Sequence, residues 1–236
     1  MKNVLVTGAS KGIGKCIAQE LSKNFNVFVT ARTGNALKKL NVAGYCICDL
    51  AKLEDLTKLK EFINENKIDI LVNNAGEYIY NPIENMDYAC ILGLFKINSI
   101  APAYLASAVV PYMKFQKWGR IINIGSISGV MGEAFASMYS ATKASLTGMT
   151  KALALELAVE NITINTINPG WVDTELGKRS IEDSEFSEDE ILDCIPQKRF
   201  VEPIEVANLV KYLISDEAKG LTGQAINLCA GLSVGI

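Results

Sequence analysis

The chain contains no histidine among its 236 residues. Histidine is the usual general base of enzymes and the commonest metal ligand, so a Ser-His-Asp triad, a Cys-His pair and a histidine metal site are all excluded. Proton transfer in this protein must use tyrosine, lysine, serine, cysteine or carboxylate side chains. We expect no metal site.

An excess of positive charge and long hydrophobic runs are also lacking. Lys and Arg number 23 against 26 Asp and Glu, a net charge of −3, whereas nucleic-acid binding calls for a basic face and membrane anchoring for a polybasic patch. The longest apolar-rich stretch, 100–113, contains two prolines and is about half the length that spans a bilayer. No signal-peptide pattern follows Met1. We expect a cytoplasmic protein with no nucleic acid and no membrane as partners.

Cysteines are few and carry no recognisable spacing. None of the six forms a Cys-x-x-Cys motif. Cys46 and Cys48 would share one face of a strand, which leaves a zinc or redox site as an alternative interpretation of that pair. Buried free thiols in a reducing compartment are the simpler interpretation.

Short apolar runs alternate with longer helical stretches along the whole chain. Strands are predicted at 3–7, 27–30, 44–48, 68–72, 120–125, 162–167 and 225–229, and helices at 13–24, 53–66, 97–117, 139–160 and 205–215. Fully apolar strands separated by helices indicate a parallel sheet covered on both faces. Such a doubly wound α/β fold binds ligands at the carboxyl ends of its strands. No linker or repeat interrupts the pattern, so we predict one domain over 1–236.

The segment 182–193 departs from this rhythm, because seven of its twelve residues are acidic. Charge runs usually face water, which predicts a solvated helix surface. The segment also lies between the sixth strand and the next helix, and we predict a substrate lid at 176–200. The two interpretations are compatible. The acidic residues are Glu182, Asp183, Glu185, Glu188, Asp189, Glu190 and Asp193.

The first strand runs directly into a glycine-rich turn, TGASKGIG at 7–14, and a helix follows. Glycine permits the tight turn and lets the backbone approach a pyrophosphate closely. The start of the following helix offers unpaired N–H groups and the positive end of its dipole. In the first strand-to-helix connection of a parallel sheet, this turn predicts a dinucleotide site.

Two basic residues refine the predicted dinucleotide. The second strand ends in TART at 30–33 without the acidic residue that accepts a hydrogen bond from the ribose of NAD. Arg32 could hold a 2′-phosphate through paired hydrogen bonds, and Lys11 in the glycine turn could reach the same phosphate. Either residue alone could be a surface cation. Together, with the acid missing, they predict NADP(H).

A second group of polar residues has the chemistry for proton transfer. Tyr139 and Lys143 are spaced to share one helix face, and Ser126 directly follows the fifth strand. A neighbouring ammonium group and an oxidised nicotinamide would both stabilise a tyrosinate. Tyr139 could then act as general acid or base, while the hydroxyl of Ser126 holds a carbonyl oxygen.

With these motifs in this order, the chain resembles the short-chain dehydrogenase/reductase family over essentially its full length. The family's TGxxxGxG loop is matched at 7–14, its NNAG motif at 73–76 and its Asn-Pro-Gly loop at 168–170. The resemblance implies a Rossmann-type domain with a seven-stranded parallel sheet in the order 3-2-1-4-5-6-7. It also implies a catalytic tetrad of Asn98, Ser126, Tyr139 and Lys143.

The same resemblance implies a role for further residues. Asn98 would support a proton-relay water through a distortion of its helix, and Asp49 would contact the adenine, although alone it could simply cap a helix. The cofactor-binding residues so implied are Gly8, Ser10, Lys11, Gly12, Ile13, Gly14, Arg32, Asp49, Leu50, Asn74, Ala75, Gly76, Tyr139, Lys143, Pro169, Gly170, Val172 and Thr174.

The substrate is less sharply defined. GRIINIGS at 119–126 and LTGQ at 221–224 resemble bacterial 3-oxoacyl-(acyl-carrier-protein) reductases, which dock an acidic carrier protein through basic residues. Lys117 lies near one such position, but Glu160 stands where an arginine is usual, and the acidic segment would repel the carrier. We therefore expect an NADPH-dependent enzyme that interconverts a ketone and a secondary alcohol. The carrier-protein reductase is the alternative, and a non-catalytic cofactor sensor is a third interpretation.

Two further expectations concern the pocket and the assembly. Apolar residues between 127 and 138, together with Trp171 and Leu176, suggest a mostly apolar pocket, and Glu77 has no explanation at this level. Apolar residues around most of the circumference of the helix from Tyr139 fit burial against both the sheet and a partner. Together with the resemblance, they predict a homotetramer or homodimer.

Overall fold

All seven strands of the protein pair in parallel in one sheet, in the order β3-β2-β1-β4-β5-β6-β7. The computed structural model describes residues 1–184 and 186–234, and Glu185, Gly235 and Ile236 lie outside the described residues. The predicted fold class and strand order are confirmed. The strands are β1 (Asn3–Thr7), β2 (Asn26–Ala31), β3 (Gly44–Ile47), β4 (Ile70–Asn73), β5 (Gly119–Ile124), β6 (Ile162–Pro169) and β7 (Ala225–Leu228).

Helices cover both faces of the sheet, and short 3₁₀ turns occur at Ile83–Asn85, Ala158–Glu160, Asp216–Ala218 and Leu232–Val234. The helices are α1 (Gly12–Leu21), α2 (Gly34–Leu37), α3 (Leu53–Glu65), α4 (Tyr88–Phe95), α5 (Ala101–Gln116), α6 (Ser128–Met131), α7 (Ser137–Leu157), α8 (Glu175–Asp183), α9 (Glu188–Cys194) and α10 (Pro203–Leu213). The five predicted helices are present with shifted ends. The sequence pattern did not reveal α2, α4, α6, α8 and α9.

Two apolar cores lie on opposite faces of the sheet. Successive residues of a strand point to opposite faces, so Val4 and Val6 of β1 enter one core while Leu5 enters the other. The first core packs against α1 and α10, and the second packs against α3, α5 and α7. Because helices cover both faces, the central strands β1, β4 and β5 are buried almost throughout, and a sheet of this kind binds ligands at the carboxyl ends of its strands.

The helix predicted at 97–117 begins earlier, at Tyr88. It consists of α4, a π-helical turn at Lys96–Ile100 and α5. Asp87 caps its start, since its carboxylate accepts from the backbone N–H of Cys90 at 2.7 Å. By length and composition alone, Tyr88–Gln116 could cross a bilayer, a test that a core helix of a soluble protein also passes. The expectation of no membrane partner stays a prediction.

The acidic segment forms the end of α8 and most of α9, whose acidic residues are exposed. This agrees with a solvated helix surface. Ser187 and Glu190 form a capping box at the start of α9. Glu185, one of the seven acids, lies outside the described residues. All six cysteines are free thiols, so Cys46 and Cys48 are not bonded to each other.

A chain of polar side chains crosses the core between the sheet and α7. Asn73 donates from Nδ2 to Oδ1 of Asn123 at 2.9 Å, and Asn123 donates from Nδ2 to Oγ1 of Thr150 at 3.0 Å. Thr150 in turn shares a 2.7 Å hydrogen bond with Thr166. All four residues are buried, and a buried polar group is costly unless it is paired. Asn123 therefore satisfies groups on both β4 and α7.

We predict that Asn123→Ala lowers the free energy of unfolding by about 3 kcal/mol, because it leaves buried polar groups of Asn73 and Thr150 without their partner. Urea denaturation measures this. The control is Asn26→Ala, which removes an exposed amide–amide hydrogen bond to Asn3 and should cost about 0.5 kcal/mol or less. Equal losses in the two variants would contradict the role assigned to Asn123.

Candidate active site

The carboxyl ends of β1 and β4 are joined by the side chain of Thr7. Its Oγ1 accepts from the backbone N–H groups of Asn74 and Ala75, each at 3.0 Å. In return, Nδ2 of Asn74 donates to the carbonyl oxygens of Thr7 at 2.8 Å and Gly8 at 3.3 Å. The glycine turn and the 73–76 segment are thus one unit. Asn74 and Ala75 lie where predicted, and Thr7 was missed as a site residue although it opens the motif.

Three positions of the turn require glycine, two because of their backbone conformation and one because a Cβ would clash. Gly8 and Gly12 have φ of +67° and +54°, which other residues rarely adopt. A Cβ on Gly14 would lie 2.3 Å from Nδ2 of Asn74 and 2.5 Å from the carbonyl oxygen of Gly8. The turn is held against β2 by hydrogen bonds from Gly8 N and Ala9 N to the carbonyl of Thr30. The bare backbone suits close contact with a pyrophosphate, as the sequence predicts.

The start of α1 is open to a ligand. Its N-cap residue, Lys11, is extended and makes no side-chain capping hydrogen bond, so the first N–H groups of the helix can bind an anion. A groove of about 470 Å³ runs beside Ser10 and is lined by Lys15 and Lys39 among others. The sequence interpretation did not include these two lysines, which add positive charge beside the glycine turn.

The two cations predicted to bind a 2′-phosphate differ in their surroundings. Arg32 is exposed directly after β2. Lys11 instead forms an ion pair with Glu175, with Nζ 2.9 Å from Oε2 and both side chains well exposed. The carboxylate of Glu175 therefore competes with a phosphate for the ammonium group of Lys11. Exposed pairs of this kind are weak, so a dianionic phosphate can replace the carboxylate.

The other predicted cofactor residues lie along the same edge of the sheet. Asp49 is half-buried after β3 and accepts from the N–H of Ala51 at 3.1 Å, and Leu50 is buried. Asp49 therefore closes a turn before α3 rather than capping that helix, whose N-cap is Lys52. Whether Asp49 contacts an adenine stays a prediction.

The 168–174 segment leads from β6 to α8. Pro169 ends β6 and accepts at its carbonyl from Ile127 N at 2.9 Å, and a Cβ on Gly170 would lie 2.9 Å from Cα of Cys229. Val172 is buried, and Thr174 caps α8 through Gly177 N. A Cβ on Gly12 would lie 3.5 Å from Cγ2 of Thr174. The segment therefore passes directly beside the glycine turn.

The four predicted catalytic residues converge at the ends of β4 and β5. Lys143 donates from Nζ to the carbonyl of Ile124 at 2.9 Å, and its ammonium lies 5.8 Å from the ring centre of Tyr139. A Cβ on Gly76 would be 3.2 Å from Lys143 Nζ and 3.4 Å from Asn98 Oδ1. Gly76 thus allows the 73–76 segment to meet both side chains.

Asn98 lies in the π-helical turn, which is the kind of backbone distortion that the family resemblance implies. Its Oδ1 accepts from Glu77 N at 2.8 Å, and its Nδ2 donates to the carbonyl of Glu77 at 2.9 Å and to Oγ1 of Thr142 at 3.0 Å. Asn98 therefore fixes the chain after β4. These hydrogen bonds involve the backbone of Glu77, not its side chain, and Thr142 is a supporting residue that the sequence interpretation missed.

Burial controls the ionisation of the two central groups. Burial lowers the pKa of Lys143 to about 8. Burial also raises the pKa of Tyr139 to about 12; the hydrogen bond with the hydroxyl of Ser126 lowers this pKa, and the charge of Glu133 raises it further. Tyr139 is therefore held as a phenol at neutral pH, poised to donate a proton. Lys143 is a cation that is readily neutralised.

A second polar group beside the tetrad was not foreseen. Glu133 accepts from the phenol of Tyr78 at 2.7 Å and from the hydroxyl of Ser128 at 2.6 Å. The Tyr78 ring meets Tyr139 edge-on, with ring centres 5.0 Å apart. Burial and the hydrogen bond to Glu133 raise the pKa of Tyr78, so it remains a donor. The spacing of these residues carries no signal, because they meet only through the folding of distant loops.

Lys117 and Glu160 form an ion pair with each other. They precede β5 and β6, at the amino edge of the sheet, whereas the tetrad follows the carboxyl ends of the strands. Within one chain, Lys117 is therefore neither an isolated cation nor close to the catalytic residues. Whether Lys117 marks a docking point for a carrier protein stays a prediction.

Comparison with known proteins identifies relatives over the whole chain. The family model for short chain dehydrogenases matches residues 2–185. The 3-oxoacyl-(acyl-carrier-protein) reductase FabG of Buchnera aphidicola subsp. Schizaphis graminum is 38% identical over 240 residues, covering 98% of this chain and 97% of that protein.

Solved structures are similarly close. A crystal structure of a single-residue variant of actinorhodin polyketide ketoreductase with NADPH is 35% identical, with a TM-score of 0.92, and covers 99% of this chain and 97% of that one. The structure of YwfH, described as an NADPH-dependent reductase involved in bacilysin biosynthesis, is 26% identical, with a TM-score of 0.92 and 98% coverage of both chains.

We predict that Lys143 loses its proton near pH 8 in the protein without nucleotide, because its ammonium is buried. An NMR titration of the lysine side chains measures this, with Lys143→Met identifying the resonance. Rising pH through that value removes the positive charge beside Tyr139. A titration midpoint near 10.4, the value of a free lysine, would contradict the effect of burial.

Proposed function

This chain belongs to the short-chain dehydrogenase family, and on that premise we propose that it is an NADP(H)-dependent oxidoreductase that interconverts a ketone and a secondary alcohol. The observation that carries the proposal is the convergence of Tyr139 and the buried Lys143 at the sheet edge, beside a turn in which Gly8 and Gly14 cannot accommodate a side chain. The 3-oxoacyl and polyketide reductases among its relatives support a ketone substrate.

The residues of the site divide the work. The glycine turn, the start of α1 and the cations Lys11 and Arg32 bind the dinucleotide, which supplies the hydride when it is bound. Tyr139, held as a phenol by burial, donates its proton to the carbonyl oxygen during reduction. The ammonium of Lys143 stabilises the tyrosinate that this leaves, and the hydroxyl of Ser126 holds the substrate oxygen.

We propose that α8 and α9 form the lid predicted at 176–200. The base of this region touches the glycine turn through Thr174 and binds Lys11 through Glu175. The apolar side chains of Leu176 and Phe186 are exposed on it. Exposed Val130, Met131 and Phe135 lie on the segment between Ser126 and Tyr139. Two apolar surfaces are thus available to enclose an uncharged substrate.

We also propose a cytoplasmic homo-oligomer, a tetramer or a dimer. Leu155 near the end of α7 and Val159 in the 3₁₀ turn after it are 85% and 87% exposed, and Tyr88 and Phe115 on the α4–α5 helix are 78% and 85% exposed. Large apolar side chains exposed on two helices suit burial against a second copy.

Reduction of 3-oxoacyl groups on an acyl carrier protein is a second candidate, favoured by the 38% identity to FabG. Against it, the positive charge of Lys117 is neutralised by Glu160, and the exposed acids of α8 and α9 would repel an acidic carrier. Offering 3-oxoacyl groups on coenzyme A and on carrier protein separates the two candidates. We expect free ketones and coenzyme A thioesters to be reduced, and faster turnover on carrier protein would favour the second candidate.

We predict that Tyr139→Phe abolishes reduction of every ketone in a panel of ketones, diketones and 3-oxoacyl thioesters, a loss of about 10³-fold or more. NADPH binding should be retained, because the hydroxyl moves a proton and does not carry the dinucleotide. Oxidation of NADPH and its fluorescence in the complex measure the two properties. A non-catalytic sensor would show no turnover in the unsubstituted protein either, and its cofactor binding would be unchanged by the substitution.

We predict that Glu175→Gln tightens NADPH binding several-fold without changing NADH binding, because it releases Lys11 for the 2′-phosphate. Lys11→Ala and Arg32→Ala should each weaken NADPH binding about tenfold with little effect on NADH. Titration of the nucleotide fluorescence measures these affinities. Glu182→Gln, an exposed acid on the same helix, is the control. Preference for NADH in the unsubstituted protein would contradict the assignment of both cations.

A further inference from the structure

The carboxylate of Glu133 is fixed in position beside the catalytic residues. It lies on the connection between α6 and α7, half-buried, and each of its oxygens accepts one hydrogen bond. Oε1 accepts from Tyr78 at 2.7 Å and Oε2 accepts from Ser128 at 2.6 Å. Both donors are neutral hydroxyls, so they orient the negative charge without cancelling it.

Ser128 links this charge to Ser126, the residue proposed to hold the substrate oxygen. Ser128 donates from its backbone N–H to Oγ of Ser126 at 3.1 Å, and the two serine hydroxyls are 3.1 Å apart. On its other side the carboxylate binds Tyr78, whose ring touches Tyr139. Glu133 is therefore held between the neighbours of the two residues that bind the substrate oxygen.

No cation compensates the carboxylate in the described part of the chain, where none of the ion pairs includes Glu133. The nearby ammonium of Lys143 is turned to the carbonyl of Ile124. The exposed side chains around the segment, Val130, Met131 and Phe135, are apolar. Glu133 itself is half-buried, so its charge is screened less than on an open surface, and it adds to the rise in the pKa of Tyr139 that burial causes.

We propose that Glu133 is a specificity-determining residue that rejects ketones whose carboxylate lies one methylene group from the reacting carbonyl and admits their uncharged esters and thioesters. The proposal rests on the proposed function. Binding such a carboxylate would place two like charges within a few side-chain lengths of each other, which disfavours the anionic substrate. An uncharged ester or thioester of the same shape escapes this repulsion.

The experiment compares ethyl 3-oxobutanoate with 3-oxobutanoate, which differ in charge beside the same ketone. Dissociation constants for the NADPH-loaded protein and kcat/KM for reduction are measured for the unsubstituted protein and for Glu133→Gln. We expect the unsubstituted protein to prefer the ester by about tenfold to a hundredfold. Glu133→Gln should reduce this preference about tenfold, through the KM of the acid.

Two further variants make the result specific. Glu84→Gln removes an exposed acid from the neighbouring 3₁₀ turn and should leave the preference unchanged. Tyr78→Phe removes the hydrogen bond from Tyr78 to Glu133 but keeps the carboxylate, so it should retain the preference for the ester. A loss of the preference in this variant would show that disturbing the loop alone reproduces the effect of Glu133→Gln. Thermal unfolding and NADPH affinity of each variant verify that it is folded.

Other outcomes overturn the proposal. An unchanged ester-to-acid ratio in Glu133→Gln would exclude charge repulsion. An equal fall of kcat for both substrates would instead make Glu133 a positioning residue that acts on Ser126 through Ser128. Discrimination in binding without turnover of either substrate would refute the proposed function while supporting the role of Glu133, and binding of neither substrate by any variant would refute both.

Discussion

The hydroxyl group of Thr7 is the interaction on which the site depends. It binds two backbone N–H groups of the segment after β4, while Asn74 returns two hydrogen bonds to the end of β1. β1 and β4 are neighbours at the centre of the parallel sheet. These hydrogen bonds therefore join the two chain segments that leave the carboxyl ends of these strands. The glycine turn and Gly76 then have fixed positions, and Lys143 and Asn98 can pack against them.

Two groups of opposite charge lie near Tyr139, and burial sets the effect of each. The ammonium of Lys143 is bound only to a carbonyl oxygen, and its pKa falls to about 8. Burial raises the pKa of Tyr139, and the carboxylate of Glu133, held by two hydroxyl groups, adds to this rise. The phenol is therefore the stable form of Tyr139 in the protein without nucleotide, which favours its role as an acid.

The sequence predicts the sheet well because the central strands are buried on both faces and so form short apolar runs. Ser126, Tyr139 and Lys143 were predicted because they follow a strand or share a helix face, whereas Asn98 was implied only by the family resemblance. The start of the helix at Tyr88 was missed, since the π-helical turn around Asn98 shifts the helical phase of the residues before it. The contacts of Glu133 with Tyr78 and of Lys11 with Glu175 join residues far apart in sequence, and no local pattern encodes them.

The caps of α8 and α9 have a consequence for conformational entropy. Thr174 binds the first turn of α8, and Ser187 and Glu190 cap α9 reciprocally. The caps thus satisfy part of the first N–H groups of each helix and favour its folded form. Closure of this region over a substrate would move helices that are already formed. Ordering an unstructured loop of the same length would instead cost about 1 kcal/mol or more for every residue fixed. Closure can therefore depend on weak contacts such as the pair between Lys11 and Glu175.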